Sequence, residues 1–337
     1  MGGDNAPNSV IKGADIIAAK NSQIHFLFYG DEQVILPILK NYPNLKKHSQ
    51  VFHTDQSICP HEKPSVALRK GTKSSMRLAI DSVKHGEAHC VVSAGNTGAL
   101  MAISKIVLRP LPTIDRPAIV TFMPNSKKTA TVMLDMGANV DCNSDVLFQF
   151  AIMGSAFAKA VLRLENPTIG ILNVGSEDLK GSDAVKAASN LIKDSNLADN
   201  FHGYVEGDDI AKGTVDVVVT DGFCGNITLK AIEGTAKMVS GALKEGFKKS
   251  IFSKLGYLIA SRSLKSTLKS LDPRQYNGAM LVGLNGVVVK SHGSADEISF
   301  ANAIKVAISL AEDQINDKII SEIKSSTNFI ENDEETL

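Results

Sequence analysis

The chain has 337 residues, and its 36 lysines and arginines balance 36 aspartates and glutamates, so it carries no formal net charge. Hydrophobic residues make up 43% and charged residues 21%, which is the balance of a globular protein with a core. Aromatic residues make up only 5% and tryptophan is absent, which argues against surfaces that stack nucleic-acid bases. Neutral charge and few aromatics together predict no nucleic-acid partner.

The four cysteines lie far apart, at Cys59, Cys90, Cys142 and Cys224, with no CxxC pair and no histidine at a spacing suited to zinc. This spacing predicts reduced thiols, as in a cytosolic protein, and no metal site. The opening MGGDNAPNSV is neither basic nor apolar, so we expect no signal peptide. No apolar run reaches the length of a membrane span, so we expect none.

Seven short apolar runs, rich in β-branched residues, alternate with amphipathic segments of helical length. The runs are IHFLFYG (24–30), CVVSAG (90–95), AIVTFM (118–123), ATVMLDMG (130–137), TIGILNVG (168–175), VDVVVTDG (215–222) and GVVVKSHG (286–293). The helical segments are 72–86, 97–108, 143–163, 182–195, 226–248 and 295–316. Most runs are continuously apolar, as in strands buried on both faces. The pattern predicts an α/β fold with a doubly wound, largely parallel sheet in three layers.

The predicted organisation is one α/β unit over 1–324 with two lobes. The last stretch, 325–337, is polar and acidic, so we expect a frayed tail.

Nearly every predicted strand ends in a polar turn with glycine: SAGNTG, DMGAN, NVGSE, TDGFCGN and KSHGS. Ligands of open α/β sheets bind beyond the carboxyl ends of the strands. The five turns therefore predict one site, built from many loops at one edge of the sheet. The alternative is that each glycine only allows the chain to turn and has no part in a site. The sequence has no Gly-Lys dipeptide, no Gly-x-Gly and no Gly-x-Ser-x-Gly, which excludes the usual nucleotide-binding and hydrolase motifs.

The turn SAGNTGAL predicts an anion-binding cradle where a strand leads into a helix. Its two glycines allow a ligand to approach the backbone, its short polar side chains donate hydrogen bonds, and the helix presents free N–H groups. The candidate residues are Ser93, Gly95, Asn96, Thr97 and Gly98. The alternative is that Asn96 or Thr97 only caps the helix.

Charged groups near other turns are candidates for the same site. In KSHGSAD, Lys290 can pair with an anion and His292 can exchange a proton near neutral pH. In KPSVALRKGTKSSM, Arg69 is a candidate anion ligand. Further candidates from the remaining turns are Asn173, Glu177 and Asn226. For each of these residues, a purely structural or solvated role is the alternative.

Residues 241–271, here called the basic segment, differ from the rest of this neutral chain. Over 242–271, seven lysines and arginines (244, 248, 249, 254, 262, 265 and 269) accompany one acid, Glu245. Apolar residues recur between them at helical spacing. The segment predicts a basic amphipathic surface for an anionic membrane or an acidic protein; two core-packing helices are the alternative. The predicted contact residues are Phe247, Lys248, Lys249, Ile251, Lys254, Leu255 and Leu258.

Eight segments, in this order and across essentially the whole chain, resemble the bacterial acyl-carrier-protein:phosphate acyltransferases of phospholipid synthesis. They are GGDNAP, SSM, SAGNTGAL, RPAI, LDMGAN, EGDDI, TDGFCGNITLK and GVVVKSHGSAD. The resemblance implies a fold similar to phosphotransacetylases and to the isocitrate/isopropylmalate dehydrogenase type, and a homodimer without a cofactor. It implies transfer of a fatty acyl group from acyl-carrier protein to inorganic phosphate. The acyl phosphate then passes to a membrane glycerol-3-phosphate acyltransferase, and the enzyme is cytoplasmic and peripherally bound to the membrane.

The resemblance departs at the start of the chain, because family members carry a short strand and an Asp-Ala before the MGGD that opens here. We expect the true start to lie upstream; the alternative is a protein that lacks this strand. The family's aspartate cannot be carried over to this sequence. Within the sequence, the cradle residues are expected to hold phosphate or the oxyanion. Lys290 and His292, with Arg69 and Arg116 (of RPAI) behind them, are expected to neutralise charge and to protonate the leaving thiolate.

Three rival functions remain from the sequence. A phosphate acetyl- or butyryltransferase that uses coenzyme A thioesters has the same chemistry but no need of the basic segment. A decarboxylating dehydrogenase needs NAD and a divalent metal, and the adjacent Asp208 and Asp209 lie apart from other acidic clusters. A peripheral membrane scaffold explains the basic segment but not the five glycine turns.

Overall fold

The computed structural model describes residues 1–269 and 277–334. Its strands are β1 (Phe26–Gly30), β2 (Ser49–His53), β3 (Cys90–Ser93), β4 (Ala118–Pro124), β5 (Ala130–Leu134), β6 (Ile169–Leu172), β7 (Phe201–Val205), β8 (Val217–Val219), β9 (Ala279–Val282) and β10 (Val287–Lys290). All seven strands that the sequence predicts are among them. The strands β2, β7 and β9 are additional.

Thirteen helices are described: α1 (Asn8–Ala18), α2 (Glu32–Leu39), α3 (Pro43–Lys47), α4 (Pro64–Lys70), α5 (Ser75–Lys84), α6 (Thr97–Leu108), α7 (Ser144–Leu162), α8 (Asp183–Lys193), α9 (Gly207–Lys212), α10 (Gly222–Lys248), α11 (Ile251–Lys269), α12 (Glu297–Glu312) and α13 (Ile315–Glu334). The six predicted helices correspond to α5, α6, α7, α8, α10 and α12. Because α13 continues to Glu334, the structure has helix over most of the segment for which we expected a frayed tail; 335–337 lie outside the described residues.

Eight strands form one sheet in the order β3-β10-β9-β4-β5-β8-β6-β7, and β1 and β2 form a separate parallel pair. In the large sheet, β3 is parallel to β10, and β5, β8, β6 and β7 are parallel to one another. The pairs β10-β9, β9-β4 and β4-β5 are antiparallel. The predicted α/β class with a mostly parallel sheet is confirmed, but the antiparallel centre reverses the strand direction halfway across the sheet.

Helices cover both faces of the large sheet because its strands are apolar on both. In β8, Val217 and Val219 pack into a core with α7, whereas Val218 packs into the core on the other face, with α6. The helix α7 lies at the centre of the first core and buries Phe150 and Phe157 completely. A third apolar cluster joins α1 and the small β1-β2 sheet to α12.

The helix α7 is long and apolar enough to cross a membrane by length and composition, and it is the one helix of this kind in the described part of the chain. Its apolar window is 67% buried inside the protein. This burial fits its position at the centre of the core.

Candidate active site

The antiparallel strands at the centre of the sheet divide the five glycine turns between two opposite edges. The strands β3, β4 and β10 end at one edge, here called the first edge, whereas β5, β6, β7 and β8 end at the second edge. The turns SAGNTG and KSHGS therefore lie at the first edge, and DMGAN, NVGSE and TDGFCGN at the second. The prediction that all five turns meet at one edge is wrong, because strand direction across the antiparallel β9 and β4 cannot be read from apolar runs.

The cradle, residues 93–98, lies at the first edge where β3 leads into α6. The Ser93 hydroxyl oxygen accepts the N–H of Gly95 at 3.2 Å. Gly95 is packed so closely that a Cβ there would lie 2.8 Å from Cε of Met76. A Cβ on Gly2 would lie 2.7 Å from the Cα of Gly95, so the opening segment packs directly against the cradle. Glycine is required at position 2 because a Cβ there would meet the backbone of Gly95, whereas a Cβ on Gly95 would meet mainly the flexible end of the Met76 side chain.

Asn96 has a structural role that the sequence analysis gave only as the alternative. Its side-chain oxygen accepts the N–H of Ala99 at 3.0 Å, which caps α6. Its amide nitrogen donates to the carbonyls of Pro60 at 2.8 Å and Glu62 at 2.9 Å, with a longer contact to Cys59 at 3.3 Å. Both amide hydrogens are used in this way, so Asn96 holds the 59–62 loop against the cradle instead of presenting a donor to a ligand.

The remaining cradle positions differ in exposure. Thr97 is exposed at the first position of α6. Gly98 is half-buried, and a Cβ there would lie 2.8 Å from Cγ of Pro64, the residue that begins α4. The cradle thus presents Ser93, the backbone and Thr97 to the edge, while Asn96 and Gly98 serve packing.

The turn between β10 and α12 is held by three residues that the sequence analysis did not single out. The Asp4 N–H donates to the Gly293 carbonyl at 2.8 Å. The Asn5 amide donates to the Ser294 carbonyl at 3.2 Å and the Ala295 carbonyl at 3.3 Å. The third is Asn277. Asp4 and Asn5 belong to the GGDNAP segment, which contacts a turn 290 residues away along the chain. Nothing in the local sequence indicates such a distant contact.

Asn277 fixes the same turn from the side of β9. Its amide nitrogen donates to the hydroxyl of Ser291 at 2.8 Å and to the carbonyl of Ser299 at 2.7 Å. Its oxygen accepts the N–H of His292 at 2.9 Å. All of these bonds restrain the backbone that carries Lys290 and His292, so the turn is preorganised.

Lys290 lies beside the cradle because it pairs with Ser93 in the parallel register of β10 and β3. Its ammonium group donates to the carbonyl of Ser291. Burial lowers the pKa of Lys290 to about 8, and the nearby Asp4 carboxylate opposes that shift. The structure therefore brings Lys290, Ser93 and Gly95 together at the first edge, as the sequence analysis expected.

His292 is exposed at the same turn. Its Nδ1 lies 2.8 Å from the Ser294 hydroxyl and accepts the Ser294 N–H at 3.2 Å. Arg69 is exposed in the last turn of α4, the helix whose first residue contacts Gly98. Lys290 and His292 thus share one loop, and Arg69 lies on a helix that packs against α6.

Four of the predicted site residues lie at the second edge, away from the cradle. Arg116 donates from Nη1 to the carbonyl of Asp141 at 3.0 Å. Asn226 packs against Gly137, where a Cβ would lie 2.9 Å from Nδ2 of Asn226. Asn173 donates to the carbonyls of Gly175 and Lys180. Glu177 forms an exposed ion pair with Lys180 at 2.8 Å, and that hydrogen bond lowers the pKa of Glu177.

Asp135, at the end of β5, organises the second edge. Its side chain is fully buried and accepts the N–H groups of Ile119 at 2.9 Å, Ala138 at 3.0 Å and Asn139 at 2.7 Å. Gly137 N–H and the Asn139 amide add two further bonds. Burial raises the pKa of Asp135, and these donors partly offset the shift. The carboxyl group ties the DMGAN turn to the start of β4, so its role is structural.

Three of the four cysteine thiols have raised pKa values. Burial raises the pKa of Cys90 to about 11 and that of Cys142 to about 12, and it also raises the pKa of Cys224. Thiols with raised pKa values are poor nucleophiles at neutral pH. In the described part of the chain, no group of three or more His, Cys, Asp and Glu side chains could hold a metal ion.

The structure places residues 241–269 of the basic segment at the end of α10 and in α11; 270 and 271 lie outside the described residues. The helix α11 packs against α10. Side chains that face solvent include Phe252 at 86% exposure and Ile259 at 85%. Ile251, Leu255 and Leu258 are exposed too. The ring of Phe247 packs against the ring of Tyr257, with 5.1 Å between the ring centroids. The described apolar side chains of α11 are therefore not in a core, which argues against two core-packing helices.

The predicted basic residues of this segment are exposed as well. Lys248, Lys249 and Lys254 all face solvent. Exposed lysines and exposed apolar side chains thus occur together in this segment, and its binding to a membrane or an acidic protein stays a prediction.

Comparison with known proteins agrees with the fold. The family model described as "Fatty acid synthesis protein" matches residues 1–318. A phosphate acyltransferase from Paramagnetospirillum magneticum is 53% identical over 322 residues, covering 96% of this chain and 92% of that protein. One from Rhodospirillum centenum is 54% identical over 323 residues, covering 96% and 91%. A solved phosphotransacetylase from Streptococcus pyogenes shares the fold, with a TM-score of 0.52 at 17% identity over 86% of this chain and 94% of that one. The chain therefore belongs to the family of phosphate acyltransferases.

Proposed function

We propose that the protein transfers a fatty acyl group from acyl-carrier protein to inorganic phosphate, and that the reaction takes place at the first edge. Family membership supports acyl transfer to phosphate. The observation that carries the location is the pairing of Lys290 with Ser93 beside the cradle. The carrier protein as donor, the homodimer and the membrane association are our proposals.

Several helix N-termini at the first edge favour an anion there. The helices α6 and α12 are the next elements after β3 and β10, which end at this edge, and each follows a short turn. The helix α5 leads into the start of β3, so its N-terminus lies at the same edge. Helix N-termini carry free N–H groups and partial positive charge, which stabilise phosphate and a developing oxyanion. The Lys290 ammonium adds a full charge.

The proposed reaction is a direct attack. An oxygen of hydrogen phosphate attacks the thioester carbonyl carbon, giving a tetrahedral oxyanion that the cradle N–H groups stabilise. The C–S bond then breaks, and the Lys290 ammonium donates a proton to the leaving thiolate. The acyl phosphate returns its proton to the Lys290 amine, so charge and protons balance. A lysine pKa of about 8 is close to that of a thiol, which makes the transfer nearly thermoneutral.

No acyl-enzyme is needed because phosphate is itself a nucleophile and a thiolate leaves easily. The raised thiol pKa values disfavour Cys90, Cys142 and Cys224 as acyl acceptors. The Ser93 hydroxyl is held by the Gly95 N–H and has no general base among its hydrogen bonds in the described residues. Binding both reactants in one orientation is worth up to roughly 7–11 kcal/mol, which leaves little covalent chemistry for the protein to supply.

The basic segment supports an acidic partner. Its exposed lysines and apolar side chains suit an acidic carrier protein or an anionic membrane. Association with the cytoplasmic membrane surface brings the acyl phosphate to the membrane glycerol-3-phosphate acyltransferase that consumes it. Exposed apolar side chains along α10, such as Met238 and Val239, suit the proposed homodimer.

The test supplies inorganic phosphate with either palmitoyl-carrier protein or palmitoyl-coenzyme A and traps acyl phosphate with hydroxylamine. We expect product from the carrier-linked thioester. Product from coenzyme A alone contradicts the proposed donor and favours a phosphotransacetylase activity. Absence of product with both thioesters contradicts the proposed reaction.

A further inference from the structure

The backbone N–H of Ser294 favours one tautomer of the His292 ring. The Ser294 N–H points at Nδ1 at 3.2 Å, and a backbone N–H can only donate. Nδ1 is therefore an acceptor, and the proton of the neutral ring lies on Nε2. The Ser294 hydroxyl lies 2.8 Å from Nδ1, so with Nδ1 as an acceptor the hydroxyl is its second donor, and Ser294 favours this tautomer through both groups. A proton on Nδ1 would point at the Ser294 N–H, and two donors that face each other form no hydrogen bond.

Several hydrogen bonds hold the loop that creates this arrangement. His292 itself is held by its N–H bond to Asn277 at 2.9 Å, and the Ala295 N–H donates to the His292 carbonyl at 3.1 Å. Ser294 is held through its own carbonyl, which accepts from the Asn5 amide. Asn277, just before β9, thus holds the His292 backbone, and Asn5, near the start of the chain, holds Ser294.

The Nε2 atom of His292 is free to bind a ligand. The His292 side chain is exposed, and Nε2 has no hydrogen-bond partner among the described residues. It belongs to the same turn as Lys290, whose strand partner is Ser93. The turn therefore carries two groups that can donate hydrogen bonds, the His292 ring and the Lys290 ammonium.

We propose that His292 acts as a neutral hydrogen-bond donor, whose Nε2–H binds an anionic oxygen at the reacting centre, and that Ser294 is the positioning residue that holds the ring in this tautomer. This inference rests on the proposed function. It replaces the expectation that His292 protonates the leaving thiolate, because a general acid must carry protons on both nitrogens and Nδ1 already faces a donor. Proton delivery then falls to Lys290 alone.

Three substitutions separate a neutral donor from a general acid. His292→Gln places an amide N–H about where Nε2 lies and cannot titrate, whereas His292→Asn places its amide near Nδ1. We expect His292→Ala and His292→Asn to lower kcat by about 10²-fold, as for loss of one oxyanion donor. We expect His292→Gln to stay within about tenfold of the wild-type rate. His202→Gln, at an exposed histidine of β7, is the control and keeps full activity.

The pattern of kinetic constants identifies the bound oxygen. A lower kcat with unchanged KM for phosphate assigns the bond to the oxyanion of the intermediate. A raised KM for phosphate with unchanged kcat assigns it to bound phosphate. Either result supports the donor. Equal loss in the Gln and Ala variants, or full activity in both, overturns it.

The tautomer is measured independently of activity. In protein labelled with ¹⁵N-histidine, with the His292 signals identified by their loss in His292→Gln, we expect the shifts of a neutral ring protonated on Nε2. In Ser294→Ala, which removes the hydroxyl but keeps the N–H, we expect a larger share of the other tautomer and a few-fold lower kcat. A wild-type ring protonated on Nδ1 overturns the inference. If wild-type protein makes no acyl phosphate at all, the proposed function fails, while the tautomer result still stands by itself.

Discussion

At the scale of single residues, Lys290 combines two properties that oppose each other. Its position next to Ser93 places an ammonium group where we propose that an anion binds, but burial lowers its pKa from 10.5 to about 8. Between these two values the unfolded chain binds the proton more tightly than the folded chain. The stability of the fold therefore rises with pH across this window, and at neutral pH the buried ammonium is a net cost.

Replacing Lys290 is expected to separate stability from activity. Lys290→Met should raise the free energy of unfolding at pH 7 by about 1–3 kcal/mol, a figure reduced for partial exposure, and lower acyl transfer by about 10²-fold or more. Urea unfolding at several pH values, with the exposed Lys305→Met as control, measures the first effect. A Lys290→Met protein less stable than wild type at pH 7 would show that the ammonium is satisfied in the fold.

The pH dependence of activity tests the same residue. If Lys290 is the acid that we propose, acyl transfer by the wild type should fall as pH rises through about 8. Lys290→Arg keeps the charge but cannot release a proton at these pH values, so its residual activity should lack this fall. An unchanged alkaline limb in Lys290→Arg would assign it to another group.

Asp135 makes a different residue-scale prediction, because it holds structure and carries no chemistry. Asp135→Asn replaces one acceptor oxygen by an NH₂ group that faces N–H donors, so it should cost about 2–4 kcal/mol of unfolding free energy. Denaturant unfolding measures it, with Asp199→Asn at an exposed position as control. Equal stability of the Asp135 and Asp199 variants would refute the structural role.

At the scale of elements, apolar runs and helical periodicity located the strands and helices that pack against the core. The helix α6 was predicted at its observed bounds because Asn96 and the following apolar residues mark its start. The strands β2 and β7 were missed because SQVFH and FHGYV are short and interrupted by polar residues or glycine. The start of α10 was placed at 226, although Asp221 caps the helix and accepts the Cys224 N–H at 2.7 Å. A cap hidden among glycines carries little sequence signal.

The pair α10 and α11 allows a prediction about surface binding. Ile259→Ser removes an exposed apolar side chain from the basic segment without disturbing a core, so it should lower binding to phosphatidylglycerol vesicles several-fold and leave unfolding unchanged. Ile106→Ser, an exposed isoleucine on α6, is the matched control. Sedimentation with anionic and neutral vesicles provides the measurement. If neither variant differs from wild type, the segment faces a protein partner instead.

At the scale of the whole molecule, the fold class was predictable and the assembly of the site was not. Glycine turns identified the carboxyl ends of the strands, and Lys290 and the cradle do meet. Strand order and direction depend on contacts distant in sequence, so nothing local revealed that Arg116, Asn173, Glu177 and Asn226 lie at the opposite edge. The hydrogen bonds of Asp4, Asn5 and Asn277 to the turn before α12 could not be predicted for the same reason. Asp4 and Asn5 are far from that turn in the sequence, and Asn277 is separated from it by two strands.

Direct attack by phosphate is tested most directly by intact-mass spectrometry and thiol release after the protein is mixed with palmitoyl-carrier protein in the absence of phosphate. We predict no mass increase of an acyl group and no free carrier thiol until phosphate is added, after which thiol and acyl phosphate appear together in equal amounts. An acylated protein, with a burst of thiol before phosphate is added, would contradict the proposal and show that a side chain of the protein accepts the acyl group first.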